Sequence, residues 1–342
     1  MSRKATRRKG GLPLMRRLAI MASSAFATLC LALVVVGLWA VWSYRGPGPE
    51  TAGGKPVTVM LRKGAGLSEI AASLEQAHVV RSSAIFIAAA QVTRGARSLK
   101  AGEYEFPSRA PMSRVLDDIR AGRIVRHQLT VPEGITSEMV IDILNNEAAL
   151  TGVAPTPPEG AILPETYDFQ RGEDRAAVLR RMMDARDRLL ATLWAKRKAG
   201  LPISTPEEAV ILASIVEKET GVASERPRVA SVFVNRLLKG MRLESDPTII
   251  YGITRGRPLG RRILLSELQA PTPYNTYAIT GLPPTPIANP GRAALAAVLD
   301  PPDTDDLFFV ADGSGGHAFA ATYEDHARNV EKWRAWRART GK

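Results

Sequence analysis

The hydrophobic pattern of the chain opens with a block that has no period at all. Leu18 to Trp42 is a 25-residue stretch without a charged side chain, long enough to cross a bilayer with some tilt, and it predicts a transmembrane helix. Arg45 to Gly54 comes next, rich in Gly and Pro and without periodicity, which reads as a linker. The pattern then alternates. Val57 to Leu61 predicts a strand, Arg62 to Gly66 a turn, and Leu67 to Leu74 a helix with Ser68 as its cap. The same order recurs where Leu129 to Thr130 leads through Gly134 into a helix over Thr136 to Leu144. Between the two copies, Ser82 to Val92 and Met112 to Ala121 predict helices and Ala101 to Phe106 a short strand.

Downstream the period is helical. Ala176 to Lys198 is a long charged helix with apolar spacing at Leu179, Met182, Met183, Leu189 and Leu193, and Pro227 to Leu238 carries a stripe of Val229, Val232, Phe233 and Leu237. Between them, Ala209 to Val216 has no charge on any face, the pattern of a helix buried all round. Thr205 serves as N-cap, Pro206 as first helical residue, Glu208 as the partner of a capping box and Gly221 as the stop. Beyond Leu238 the chain is rich in turns at 245–248, 270–277 and 281–291, loops able to shape a cleft. Leu307 to Val310 and Ala318 to Thr322 predict two strands around the turn 313–317.

Glu217 stands at the end of the buried helix. The helix dipole and loss of solvent both disfavour a carboxylate there, so both raise its pKa, as a general acid requires. A structural ion pair with Lys218 or an arginine is the alternative reading of the same position. Glu219 projects about 200° away and reads as structural or supporting.

Charge refines the picture. The formal net charge is +12, and seven cations before the apolar block, Arg3, Lys4, Arg7, Arg8, Lys9, Arg16 and Arg17, supply more than half of it. By the positive-inside rule they place the N-terminus in the cytoplasm and the rest outside. A cleaved signal peptide is the alternative, but its apolar region is shorter. The mildly basic remainder carries no nucleic-acid motif, which excludes that partner class. Cys30, the only cysteine, lies in the span, so disulfides and thiolate sites are excluded within one chain. His78, His127, His317 and His326 lack zinc-ligand spacing. No metal and no cofactor is expected.

Two resemblances add to this. The segment from Val57 to Leu74 resembles the opening of a LysM-type glycan-binding module. The longer words Leu163 to Tyr167, Leu212 to Thr220, Val234 to Leu237 with Gly240 to Leu243, Ser245 to Gly252, Tyr274 to Tyr277, Gly281 to Pro284, Pro286 to Gly291, and Phe309 to Gly313 with His317 resemble the YceG-like family of endolytic murein transglycosylases. The resemblance runs from the membrane helix to about residue 329. It implies an α+β fold with a single N-terminal transmembrane helix, a small LysM-like α+β module and a larger α+β catalytic domain. The expected divisions are a basic tail at 1–17, the span at 18–42, a linker at 43–55, the module at 56–155 and the catalytic domain at 156–342.

The resemblance also assigns chemistry. It makes Glu217 the catalytic residue and offers Asn235, Asp246, Tyr274, Asn275, Tyr277 and Asn289 as groups that bind sugar hydroxyls, acetamido groups and ring faces. Asp246 and Asn275 holding turns, with the tyrosines packing loops, is the other reading. Glu244-Ser245 departs from the Gln-Ser or Gln-Thr expected before Asp-Pro. The implied reaction cleaves peptidoglycan between N-acetylmuramic acid and N-acetylglucosamine, leaving 1,6-anhydro ends, at the inner membrane and near peptidoglycan synthases as partners. The alternatives are a two-carboxylate muramidase with Asp246 or Glu165 as second group, and a non-catalytic membrane-anchored glycan-binding scaffold.

Overall fold

The computed structural model describes residues 14–341, so most of the basic tail lies outside the described residues. The chain is α+β and divides into two compact units, one ending at Val125 and the other beginning at Arg126.

In the first unit the elements are α1 (Leu14–Arg45), β1 (Val57–Leu61), α2 (Leu67–Gln76), α3 (Ser83–Val92), β2 (Gly102–Phe106) and α4 (Met112–Ala121). Within α1, Met21–Arg45 has the length and apolarity to cross a membrane, with mean hydropathy 2.3, and Cys30 is exposed on it. β1 and β2 pair antiparallel, Val57 opposite Phe106 and Leu61 opposite Gly102. Leu74, Phe86, Tyr104, Val115 and Leu116 are fully buried in the core of this unit. The Tyr104 hydroxyl escapes an orphaned burial by donating to the Lys100 carbonyl at 2.8 Å. Gly66, and not Ser68, precedes the first turn of α2.

The expected linker is bonded down. Gly48 N–H donates to the Arg109 carbonyl at 3.1 Å and Arg109 N–H returns a bond to Pro49 at 3.0 Å. A Cβ on Gly48 would stand 2.3 Å from the Ala110 carbonyl oxygen, so only glycine allows this approach. Arg81 donates to the Pro47 carbonyl at 3.2 Å and lies 5.6 Å from the Trp42 ring centre. Composition favours a flexible segment, but these pairings join distant stretches of sequence and no local pattern carries them.

In the second unit the elements are β3 (His127–Thr130), α5 (Ser137–Asn146), β4 (Thr166–Phe169), α6 (Arg175–Ala195), α7 (Pro206–Glu219), α8 (Arg226–Leu238), α9 (Asp246–Thr254), α10 (Leu265–Gln269), α11 (Arg292–Leu299), β5 (Phe308–Ala311), β6 (His317–Ala320) and α12 (Tyr323–Thr340). β3 pairs antiparallel with β4, His127 opposite Phe169, so the second strand-turn-helix copy belongs with the C-terminal part of the chain. That is why the compact division falls ahead of the expected 155/156 boundary. β5 and β6 form a further antiparallel pair.

α7 is the central element of this unit. Every residue from Ala209 to Val216 is buried, and it packs against α8, α11, α6 and α9. Each fully buried Leu, Ile or Val on it contributes about 1.5–3 kcal/mol. Its start agrees with the sequence: Thr205 Oγ1 accepts the Glu208 N–H at 3.1 Å, while the Glu208 carboxylate accepts from Ser204 N–H, one position before the cap. Its end comes from Thr220, extended at φ −140°, rather than from Gly221. The segment 245–248, expected as a turn, begins α9 instead, with Ser245 at the N-cap and Asp246 and Pro247 in the first turn, the arrangement helix starts favour.

Candidate active site

The Glu217 side chain sits in the last turn of α7 with 5% of its surface exposed. Its two oxygens are held differently. Oε1 accepts from Arg226 Nη2 at 3.1 Å, and Oε2 accepts from the Gly291 N–H at 2.9 Å. Arg226 begins α8 and is itself buried. Gly291 is the N-cap of α11, so Glu217 lies between the negative end of one helix and the positive end of another. Burial is the largest influence on Glu217 and raises its pKa; the Gly291 amide and Arg226 oppose it, nearby Glu133 adds to it, and Lys218 opposes it.

Glu133 completes this group. Its carboxylate reaches the same Arg226 Nη2 at 3.7 Å, and its side chain is 43% exposed. A Cβ on Gly291 would lie 1.8 Å from Glu133 Oε1, so the glycine makes room for this carboxylate. The loop carrying Glu133 is clasped in place: Gly134, at φ +73°, donates to the Asn289 carbonyl at 3.0 Å, Asn289 N–H returns a bond to the Ile135 carbonyl at 2.9 Å, and Lys218 Nζ donates to the Gly134 carbonyl at 3.1 Å.

Helix α7 also aims the loop that supplies the Gly291 amide. Ser214, fully buried, donates to the Ile211 carbonyl at 2.7 Å and accepts from the Ile287 N–H at 3.0 Å. Asn289 is a buried hub. Its Oδ1 accepts from Ile162 N–H at 3.0 Å, and its Nδ2 donates to the Ile135 carbonyl at 3.1 Å and to Glu159 at 3.2 Å. Asn275 is equally buried, with Nδ2 bonded to the Leu268 and Ala270 carbonyls and Oδ1 accepting from Tyr277 N–H. Asn235 is half-buried and donates to the Thr304 and Asp306 carbonyls at 2.7 and 3.0 Å. Asn275 and Asn289 thus spend both side-chain groups on the protein itself, and Asn235 spends its Nδ2 there.

The remaining expected site residues lie nearer the surface. Asp246 is exposed and accepts from the Tyr277 hydroxyl at 2.8 Å. Tyr274 is half-buried, shares a hydrogen bond with Thr285 at 2.9 Å and packs edge-on against Tyr251, with Arg255 beside both rings. Glu165 is paired with Arg292 at 2.9 Å.

Glu219 occupies other surroundings. Its Oε1 accepts from the Ser245 hydroxyl, and burial pushes its pKa up to about 7, with Asp246 adding to the rise and Ser245, His317 and Arg236 opposing it. The two glutamates of one helix end thus face different partners, as their separation of about 200° requires.

With this geometry in place, comparison with known proteins is decisive. The model of the YceG-like family matches residues 59–332. The chain belongs to the YceG-like family. A relative from Bacillus subtilis named endolytic murein transglycosylase is 27% identical over 310 residues, covering 81% of this chain and 84% of the relative. One of the same name from Streptococcus pneumoniae is 30% identical over 325 residues, covering 81% of this chain but 58% of the relative. A crystal structure of a YceG-like protein from Listeria monocytogenes covers 80% of this chain and 98% of its own, at 26% identity and a TM-score of 0.51.

Within this YceG-like chain, sequence reasoning does not single out Glu133, Arg226 or the Gly291 amide. Glu133-Gly134 is legible as a turn, and Gly291 lies in a matched word. Only the pairing of these segments with the end of α7 gives them a place at Glu217.

Proposed function

We propose that this protein is an endolytic murein transglycosylase in which Glu217 acts as general acid and then as general base. The observation that carries the reading is a desolvated carboxylate, fixed by one backbone amide and one guanidinium, within the span matched by a family whose relatives bear that name. Protonated Glu217 gives its proton to the glycosidic oxygen as the bond from that oxygen to muramic acid C1 breaks. The resulting carboxylate takes the proton from the C6 hydroxyl, whose oxygen bonds to C1. The proton count closes, no water is consumed, and the new end is 1,6-anhydro-N-acetylmuramic acid.

The same reading makes α1 a single-pass anchor in the inner membrane, with the chain after α1 on the outer side, and makes the part around β1 and β2 a LysM-like module contacting glycan. Asp246, Tyr274 and Tyr277 are assigned to sugar contact, and Asn235, Asn275 and Asn289 to holding the loops that present it. Peptidoglycan synthases are the corresponding partners.

A two-carboxylate muramidase is the second reading, and one observation favours it: Glu133 shares Arg226 with Glu217, whereas Asp246 pairs with Tyr277 and Glu165 with Arg292. Product mass separates the two, because hydrolysis must admit water. The full chain in detergent, given glycan strands in heavy-oxygen water, is expected to release 1,6-anhydro ends free of the label. Reducing muramic acid ends carrying the heavy oxygen as primary product would overturn the lytic reading.

A further inference from the structure

Arg226 is the cation hydrogen-bonded to Glu217, yet it is not Glu217's alone. Its Nη2 lies 3.1 Å from Glu217 and 3.7 Å from Glu133, and its Nε is buried without a hydrogen-bond partner. The guanidinium therefore makes no two-pronged clamp on Glu217, the arrangement that would hold a carboxylate most firmly in its charged form. Gly291 leaves the space in which Glu133 reaches in, and the clasp of Gly134 and Asn289 holds the loop there.

We propose that Glu133 is a positioning residue for the reaction: it draws off part of the Arg226 charge and so keeps Glu217 able to carry its proton at the pH where the enzyme works. The proposal rests on the reading of Glu217 as general acid. The charged groups facing Glu217 are Lys218 on its own helix, Arg226 on α8 and Glu133 on the loop after β3, together with the Gly291 amide of α11. Of these, Glu133 is the one that opposes ionisation of Glu217. Removing its charge favours the carboxylate form of Glu217, so the protonated enzyme is lost at lower pH.

The experiment compares pH profiles of kcat/KM for the full chain in detergent, read as release of anhydro ends from glycan strands. Glu133→Gln is expected to fold, given its half-exposed site, and to move the high-pH limb downward by about half a pH unit, since solvent screens a partly exposed charge. Glu133→Asp, which keeps the charge, should restore most of the parental limb. Arg226→Gln should move the limb the opposite way. A folded Glu133→Gln enzyme whose high-pH limb stays at the parental position overturns the proposal. So does loss of activity at every pH, which would make Glu133 an obligatory partner in the chemistry. Glu217→Gln in parallel separates the two readings: if it cleaves at the parental rate, the general acid assignment fails first, whatever Glu133 does.

Discussion

At the scale of single residues, the last turn of α7 carries two carboxylates in different surroundings, Glu217 and Glu219. Glu217→Gln keeps the shape and can still accept the Gly291 amide, but it cannot deliver a proton. Cleavage should fall by at least about 10²-fold with an unchanged melting profile; a folded variant cutting at the parental rate would refute the assignment. Glu219 makes a stability prediction instead. Its folded-state pKa is raised to about 7, so its contribution to stability is complete below the ordinary glutamate range and is lost as pH rises through about 7. Glu219→Gln should remove that loss, leaving the variant roughly 2–3 kcal/mol more stable relative to the parent at pH 8 than at pH 4. Denaturant titrations at the two pH values test it, and an equal difference at both would show that Glu219 does not titrate in this window.

At the scale of elements, α7 does more than end in a glutamate: through Ser214 it sets the loop that returns the Gly291 amide to that glutamate. Ser214→Ala leaves the Ile287 N–H buried without its partner, a cost of about 1–3 kcal/mol, and should lower the cleavage rate by loosening that loop. Full activity with parental stability would show that the loop is held by other contacts. Legibility in the sequence has the same physical basis. α7 is legible because Thr205, Pro206 and an uncharged apolar run all mark it locally. α12 is not, because it buries no residue and so has no apolar stripe to find. α9 escapes notice because Ser-Asp-Pro signals a turn as readily as a helix start. The neighbours of Glu217 are illegible for another reason: Glu133 and Gly291 meet it from distant stretches of chain, and only tertiary packing joins them.

At the scale of the whole molecule, seven cations before an uncharged apolar helix predict that a reporter fused after Lys342 is active outside the cytoplasm; activity on the cytoplasmic side would reverse the topology. The segment after α1 offers a second test. Gly48→Ala should break its close approach to Ala110, and amide exchange at Gly48 and Arg109 should rise from protected to the rate of open chain. Fast exchange in the parent would show that the segment is already free. The bonded segment also changes what an anchor does. A slack tether would let the first unit sample every orientation above the lipid, whereas a stem fastened by Gly48, Arg81 and Arg109 couples it to the tilt of α1. On the proposed reading of α1 as a membrane anchor, the helix works as a mast, and the angle a bilayer imposes on it turns the rest of that unit with it.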